Sequence, residues 1–300
     1  MRIDYLRYFK RLAEVGNYTK ASQDLFIAQP TLSLAIKRME EQLGFPLFDR
    51  TKNGIRLTES GQVFYEFASR CIDDYETGVR LAQEKQGQIS TNLRLGTIYA
   101  MQGKFFSRAL DDFGRQCAPD LKITLKQGFS RELIPMLKRG DIDVAFCSKI
   151  EGTTGLVFNE CWSQPLVIGV NKKSPLARRK GISLRELKDK EILTYVPQSP
   201  PSPEIEKVVE EYGLHVYQGY DDEVALSSLV SRNEESIALF CYSFLVNAFE
   251  DVACIPVWDV PVDFHKTYVV SRNESHPQIV SDFIAFMSEY HFPNILDEKE

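Results

Sequence analysis

Two groups of residues in this chain have the types and spacing to act on another molecule, and neither is built for catalysis. Gln29, Thr31, Ser33, Leu34, Lys37 and Arg38 fall at spacings that share one face of a helix, and Arg50, Lys52 and Arg56 follow around a turn. Short hydrogen-bonding side chains followed by cations suit a nucleic-acid groove. Glutamine reads adenine edges, and lysine or arginine takes guanine or phosphate. Further along, hydroxyls, amides and aromatics recur just after apolar strands, where a small polar metabolite would be held. The chain has no GxGxxG, GxxxxGK[ST], HExxH or GxSxG pattern. His215, His265, His276 and His291 are dispersed and are expected at surface or structural positions. No nucleophile is set beside a base in the sequence, so no enzyme activity, metal or cofactor is expected. The six cysteines form no CxxC pair and are expected as reduced, mostly buried thiols.

The first group needs a scaffold of helices. Tyr5, Leu6, Phe9, Leu12 and Ala13 recur at helical spacing and Gly16 stops them. A second helix is predicted over Thr19 to Leu25. A tight connection through Phe26, Ile27 and Ala28 leads to a third, with Pro30 in its first turn. Leu32, Ile36, Met39 and Leu43 form its apolar face and Gly44 ends it. PLFDR and IRLTE flank TKNG as a hairpin, with Leu47 and Phe48 opposite Ile55 and Leu57, and Asn53-Gly54 as the turn. Thr58 is placed to cap a long helix to about Gln86. On that helix Phe64, Ala68, Cys71, Tyr75, Gly78 and Ala82 follow a coiled-coil period, which predicts packing against a second copy.

From Asn92 the pattern changes to alternating strands and helices, which predicts parallel sheets with helices on both faces. NLRL, LKITLKQG and DVAFC read as strands of a first half, and PLVIGV and EILTYV as strands of a second. Ser130 is placed to cap a helix that Pro135 should bend. Ligands of open α/β sheets sit beyond the carboxyl ends of strands. That rule selects Thr97, Tyr99, Met101, Gln102, Phe129, Ser130 and Ser148 in one half, and Gln198, Ser199 and Ser202 in the other. A carboxylate held by helix N-termini would fit such a set, although no arginine stands out as a clamp.

LRYFKRLAEVGNYTKAS, AQPTLSLAIKRMEEQLGFPLFDR and RLTESG together resemble the N-terminal signature of the LysR-type transcriptional regulators, and the order of the remaining elements is similar over nearly the whole chain. The resemblance implies a winged helix-turn-helix (all-α with a small β-wing) over 1–58 and a linker/dimerisation helix over 59–89. It also implies an α/β periplasmic-binding-protein-like effector domain of two subdomains, 90–162 plus 267–300 and 163–266. The DNA contacts it implies are Gln29, Pro30, Thr31, Ser33, Leu34 and Lys37 on the recognition helix, with Arg50 and Arg56 on the wing. Tyr220, Asp222 and Tyr242 join the effector candidates on the same basis. The implied partners are double-stranded operator DNA, a small-molecule effector and a second copy of the chain, with a tetramer implied by the family. The sequence departs from the pattern at Ala28, where a capping Ser or Thr is usual, at Leu34, often arginine, and at SRNEESIALFCYSF, where a glycine-rich helix end is usual. A solute-binding protein or enzyme on the same α/β fold is the alternative.

Charge agrees with a reader joined to a receptor. Residues 1–58 carry a net +4 and the rest −10, within an overall −6. The N-terminal segment has no apolar core of a signal peptide, and no run approaches a membrane span, so a cytoplasmic location is expected.

Overall fold

A computed structural model describes residues 2–51, 54–87, 91–150 and 152–292. Lys52 and Asn53 of the wing, and the ends of two assigned segments at 88–89 and 293–300, lie outside these. The chain divides into two compact units, Met1–Ser90 with Pro135–Ile142 and Ser275–Gln278, and Thr91–Ile134 with Asp143–Glu274 and Ile279–Glu300.

In the first unit α1 (Ile3–Val15), α2 (Tyr18–Asp24) and α3 (Gln29–Leu43) precede a hairpin of β1 (Phe48–Thr51) and β2 (Gly54–Leu57), and α4 (Glu59–Lys85) follows. Gly16 and Gly44 end α1 and α3 in the left-handed conformation that glycine adopts without strain. Asn17 caps α2 by accepting from the backbone N–H of Lys20. Phe9, Leu12, Leu32, Ile36, Met39 and Leu47 are the buried core. Each such side chain contributes roughly 1.5–3 kcal/mol by leaving water. Phe9 sits at its centre, with ring centroids 5.5 Å from Phe48 and 5.3 Å from Phe64. Glu40 Oε1 accepts from the backbone N–H of Leu47 at 2.7 Å, which ties the end of α3 to the entry of the wing. In the hairpin Phe48 faces Leu57, and Arg50 rather than a hydrophobic residue faces Ile55.

The long helix departs from the expected single seam. Phe64, Ala68 and Ile72 pack into the N-terminal core, so the first turns of α4 are a fourth helix of the reading unit. Ala68 is therefore unavailable to a partner, whereas Cys71, Tyr75, Gly78 and Ala82 are exposed. The exposed apolar stripe begins one position earlier, at Val63 and Phe67, which are 62% and 68% exposed. A helix has more than one face, and periodicity alone does not say which partner each face meets.

The second unit holds two five-stranded sheets. The first has the order β4 (Lys122–Gln127), β3 (Asn92–Thr97), β5 (Val144–Cys147), β12 (His265–Arg272), β6 (Leu156–Gln164). The second has the order β11 (Val252–Pro256), β7 (Leu166–Asn171), β10 (Ile237–Cys241), β8 (Glu191–Tyr195), β9 (His215–Tyr220). Both are mixed rather than parallel. β3 runs parallel to β4 and β5, and β8 to β9 and β10. β12 is antiparallel to β5 and β6, and β7 is antiparallel to β10 and β11. The chain leaves the first sheet through β6 and returns to it through β12, and a strand that re-enters after visiting another sheet need not keep the βαβ direction.

Apolar helix faces cover each sheet. Phe106 of α5 (Lys104–Cys117) and Phe283 of α9 (Gln278–Glu289) meet Phe146 of β5 at 5.1 and 6.0 Å, and Phe113 of α5 meets Phe283 at 5.0 Å. In the second sheet Leu226 and Val230 of α8 (Glu223–Arg232) are buried with Ile168, Val170, Leu239 and Phe240. α6 (Ser130–Arg139) continues through Pro135, and α7 (Ser202–Tyr212) ends at left-handed Gly213.

A Cβ on Gly61, in the first turn of α4, would stand 2.1 Å from the carbonyl oxygen of Leu47. Gly61→Ala is expected to cost about 1–3 kcal/mol, as overpacking against backbone does. Equilibrium urea unfolding checks this, and an unchanged midpoint would mean that α4 separates from the wing entry at no cost.

Candidate functional site

Gln29, Pro30, Thr31, Ser33, Leu34 and Lys37 are all exposed, on one side of α3 opposite its buried Leu32, Ala35, Ile36 and Met39. Lys37 pairs loosely with Glu41 one turn on, at 3.7 Å. Arg50 and Arg56 are exposed on adjacent wing strands, with Arg56 Nε 3.9 Å from Asp49. Such exposed pairs contribute little, so these cations keep their reach toward phosphate. Ala28 begins α3 with no side-chain cap bond. One neighbour was not read from sequence as part of this surface. Phe26, in the turn before α3, is 95% exposed and holds φ at +54°, a costly conformation for a residue with a Cβ.

The second unit contains a cavity of about 350 Å³ formed at the carboxyl ends of its strands. Tyr99 and Ala100 enter after β3, Phe129 and Ser130 after β4, and Ser148 after β5. From the other sheet, Tyr195 ends β8, Asp221 to Glu223 follow β9, and Cys241 ends β10. The two connecting strands add Gln164 and His265. Tyr99 and Phe129 meet edge to face at 5.5 Å. Ser130 Oγ accepts from the backbone N–H of Ser148 at 3.2 Å, and Ser148 Oγ lies 2.7 Å from His265 Nε2. His265 Nδ1 is 3.4 Å from Glu204 Oε1 but has no hydrogen-bond partner. Serine, histidine and acid thus meet in one corner of the cavity. The group is suited to binding a polar ligand.

Residues 3–62 match the model of bacterial regulatory helix-turn-helix proteins of the lysR family, and residues 86–291 match the LysR substrate binding domain. The chain belongs to the LysR family. It is 27% identical over 296 residues to the HTH-type transcriptional regulator BenM of Acinetobacter baylyi, covering 93% of this chain and 96% of that one. It is 32% identical over 191 residues to the uncharacterized HTH-type transcriptional regulator YybE of Bacillus subtilis, covering 62% of this chain and 64% of that one. Its fold matches full-length CbnR, solved in complex with its target DNA, with a TM-score of 0.70 at 20% identity over 96% of this chain and 99% of that one.

In this LysR-family chain five of the effector candidates line the cavity, namely Tyr99, Phe129, Ser130, Ser148 and Asp222. Gln198 and Ser199 line a separate pocket of about 40 Å³ beside it, with Arg131 and Asp221. Thr97, Met101, Gln102, Ser202, Tyr220 and Tyr242 line neither. Thr97 is fully buried, Ser202 Oγ donates to the Val196 carbonyl, and Tyr242 donates to Asn247. Gln164, Tyr195, Glu223, Cys241 and His265 were not read from sequence. His265 takes the structural rather than the surface alternative, buried in the cavity wall. The one available signal was its place beside a predicted crossover.

Of the cysteines, Cys147, Cys241 and Cys254 are buried, Cys161 is half-buried, and Cys71 and Cys117 are exposed, so fewer are buried than expected. Burial pushes the Cys147 thiol up to about 12, which keeps it protonated and unreactive.

Glu223 accepts a short hydrogen bond from Ser243 Oγ, and burial, its largest influence, holds its carboxyl above the ordinary range. A raised carboxyl favours the folded state while protonated, so its contribution is full at acid pH and is lost as pH rises through the raised value. Glu223→Gln keeps an acceptor for Ser243 and removes this loss. Denaturation from about pH 4 to about pH 8 is expected to show the variant gaining stability over the native chain as pH rises. Parallel curves would show that Glu223 does not titrate differently on folding.

Proposed function

We propose that this chain is a DNA-binding transcriptional regulator of the LysR type, working in the cytoplasm, whose activity a small-molecule effector modulates from the cavity of the second unit. The observation that carries the reading is an exposed polar and cationic face on α3 and the wing in the same chain as a closed-fold receptor cavity. A solute-binding protein or an enzyme has no use for the first. Gln29, Pro30, Thr31, Ser33, Leu34 and Lys37 act as groove contacts, with Arg50 and Arg56 on phosphate or minor groove. Leu34, 49% exposed, offers an apolar contact for a thymine methyl. The effector works by population shift: it favours one arrangement of the two sheets, and DNA affinity follows that arrangement. Among the described residues no helix is long and apolar enough to cross a membrane.

The exposed stripe of Val63, Phe67, Cys71, Tyr75, Val79 and Ala82 on α4 supports a dimer through that helix. A water-facing row of this length calls for a partner, and a second copy presents the same row. Higher assembly to a tetramer follows the family pattern. In this reading residues 1–58 read DNA, 59–89 dimerise, and 90–162 plus 267–300 pair with 163–266 to hold the effector.

Fluorescence anisotropy against DNA upstream of its own gene is expected to show tight binding with a steep salt dependence. Gln29→Ala should lose about 1–3 kcal/mol of discrimination, whereas Arg56→Ala should weaken all sequences evenly and lower the salt slope by about one. Equal affinity for random DNA would refute the reading.

Sedimentation tests the assembly. Phe67→Glu is expected to shift the protein toward monomer with its helix content retained, and an unchanged distribution would remove α4 from the interface.

A further inference from the structure

We propose that the cleft selects a small molecule carrying a protonated amine on an apolar body, a charge assignment that rests on the cleft being the effector site. The cavity wall carries Asp221, Asp222 and Glu223, and among the described residues no lysine or arginine lines it. Side chains already take some of the backbone N–H groups at the helix starts beside this cleft. Glu132 takes the backbone N–H of Phe129 at 2.8 Å before α6, and Asp222 takes that of Ala225 at 2.8 Å in α8. At α7, Pro201 stands at the cap and Pro203 in the first turn, where proline brings no N–H. An anion entering here would meet carboxylates and few free donors.

The histidine corner points the same way. His265 is 4% exposed and lines the cavity, and its Nδ1 and Glu204 Oε2 are both buried without a hydrogen-bond partner. Ser148 Oγ takes up Nε2 at 2.7 Å, so Nδ1 and Glu204 Oε2 are the two polar atoms of this corner left without a partner. An ammonium supplies three donors. Glu204 Oε1 lies 3.4 Å from Nδ1 and adds a carboxylate beside this corner. Tyr99 and Phe129, packed edge to face at 5.5 Å, give the apolar body an aromatic wall. Arg131 lies over the Phe129 ring at 5.0 Å and lines an adjoining pocket of about 40 Å³, too small for an organic anion.

Titration calorimetry on the full-length protein with phenethylamine, phenethyl alcohol and phenylacetate tests this, since the three differ mainly in charge. Phenethylamine is expected to bind at least about tenfold tighter than the others, and Asp221→Asn or Glu223→Gln to weaken it about tenfold. Each variant is first shown to bind DNA as the native chain does, which separates loss of the site from loss of the fold. Phenylacetate or the alcohol binding as tightly, or no binding of the amine, overturns the charge assignment. Ala100→Trp, which fills the cavity, tests the underlying reading on its own. Binding of any of the three that survives it places the effector outside the cleft, whatever its charge.

Discussion

The antiparallel pairing of β6 with β12 is the constraint on which the receptor depends. Its register runs from His265 opposite Gln164 to Arg272 opposite Leu156. These are the strands by which the chain leaves the first sheet and returns to it, so one ladder of backbone hydrogen bonds sets where both crossings occur. Its first pair, His265 and Gln164, lies in the cavity wall. The parallel strands β3, β4 and β5 on one side, and β8, β9 and β10 on the other, then end on a common space. The cleft is a consequence of topology, and its chemistry is set by which residues happen to stand one or two positions past each strand.

That chemistry is unusual for what it withholds. Asp222 caps α8, proline stands at the start of α7, and Arg131 lies over the Phe129 ring. His265 Nδ1 and Glu204 Oε2 stay without a partner. Burying a carboxylate such as Glu223 costs free energy unless a donor meets it, and Ser243 meets one of its oxygens. The arrangement places carboxylates in a pocket whose other walls are largely apolar and aromatic.

The long helix shows a different economy. One amphipathic segment serves the N-terminal core through Phe64, Ala68 and Ile72, while Val63, Phe67 and Tyr75 on another face remain in water. Gly61 permits this by letting the helix start in contact with the backbone at Leu47, and Thr58 closes the junction by accepting from the Gly61 N–H at 2.8 Å. The reading unit is in this way rigidly joined to the helix proposed to carry it into a dimer.

Local rules made much of this legible. The ends of α1 and α3 followed from Gly16 and Gly44, the reading face from the polar positions of a helix whose other face is Leu32, Ile36 and Met39, and the first strands from apolar runs. These depend on neighbours within a few residues, which is the range that periodicity and capping report. Tertiary structure decided the rest. It decided that the sheets are mixed, that α4 divides its faces between two roles, and that His265, Glu223 and Gln164 share a cavity with Ser148 while Thr97 and Tyr242 do not. Those outcomes rest on strand pairing and packing between segments more than a hundred residues apart, as Ser148 and His265 are. By itself the sequence determined which segments are helix or strand and which face of each is apolar. Only the fold determined which of those faces meet, because contact between distant segments is fixed by backbone pairing and the filling of a shared core.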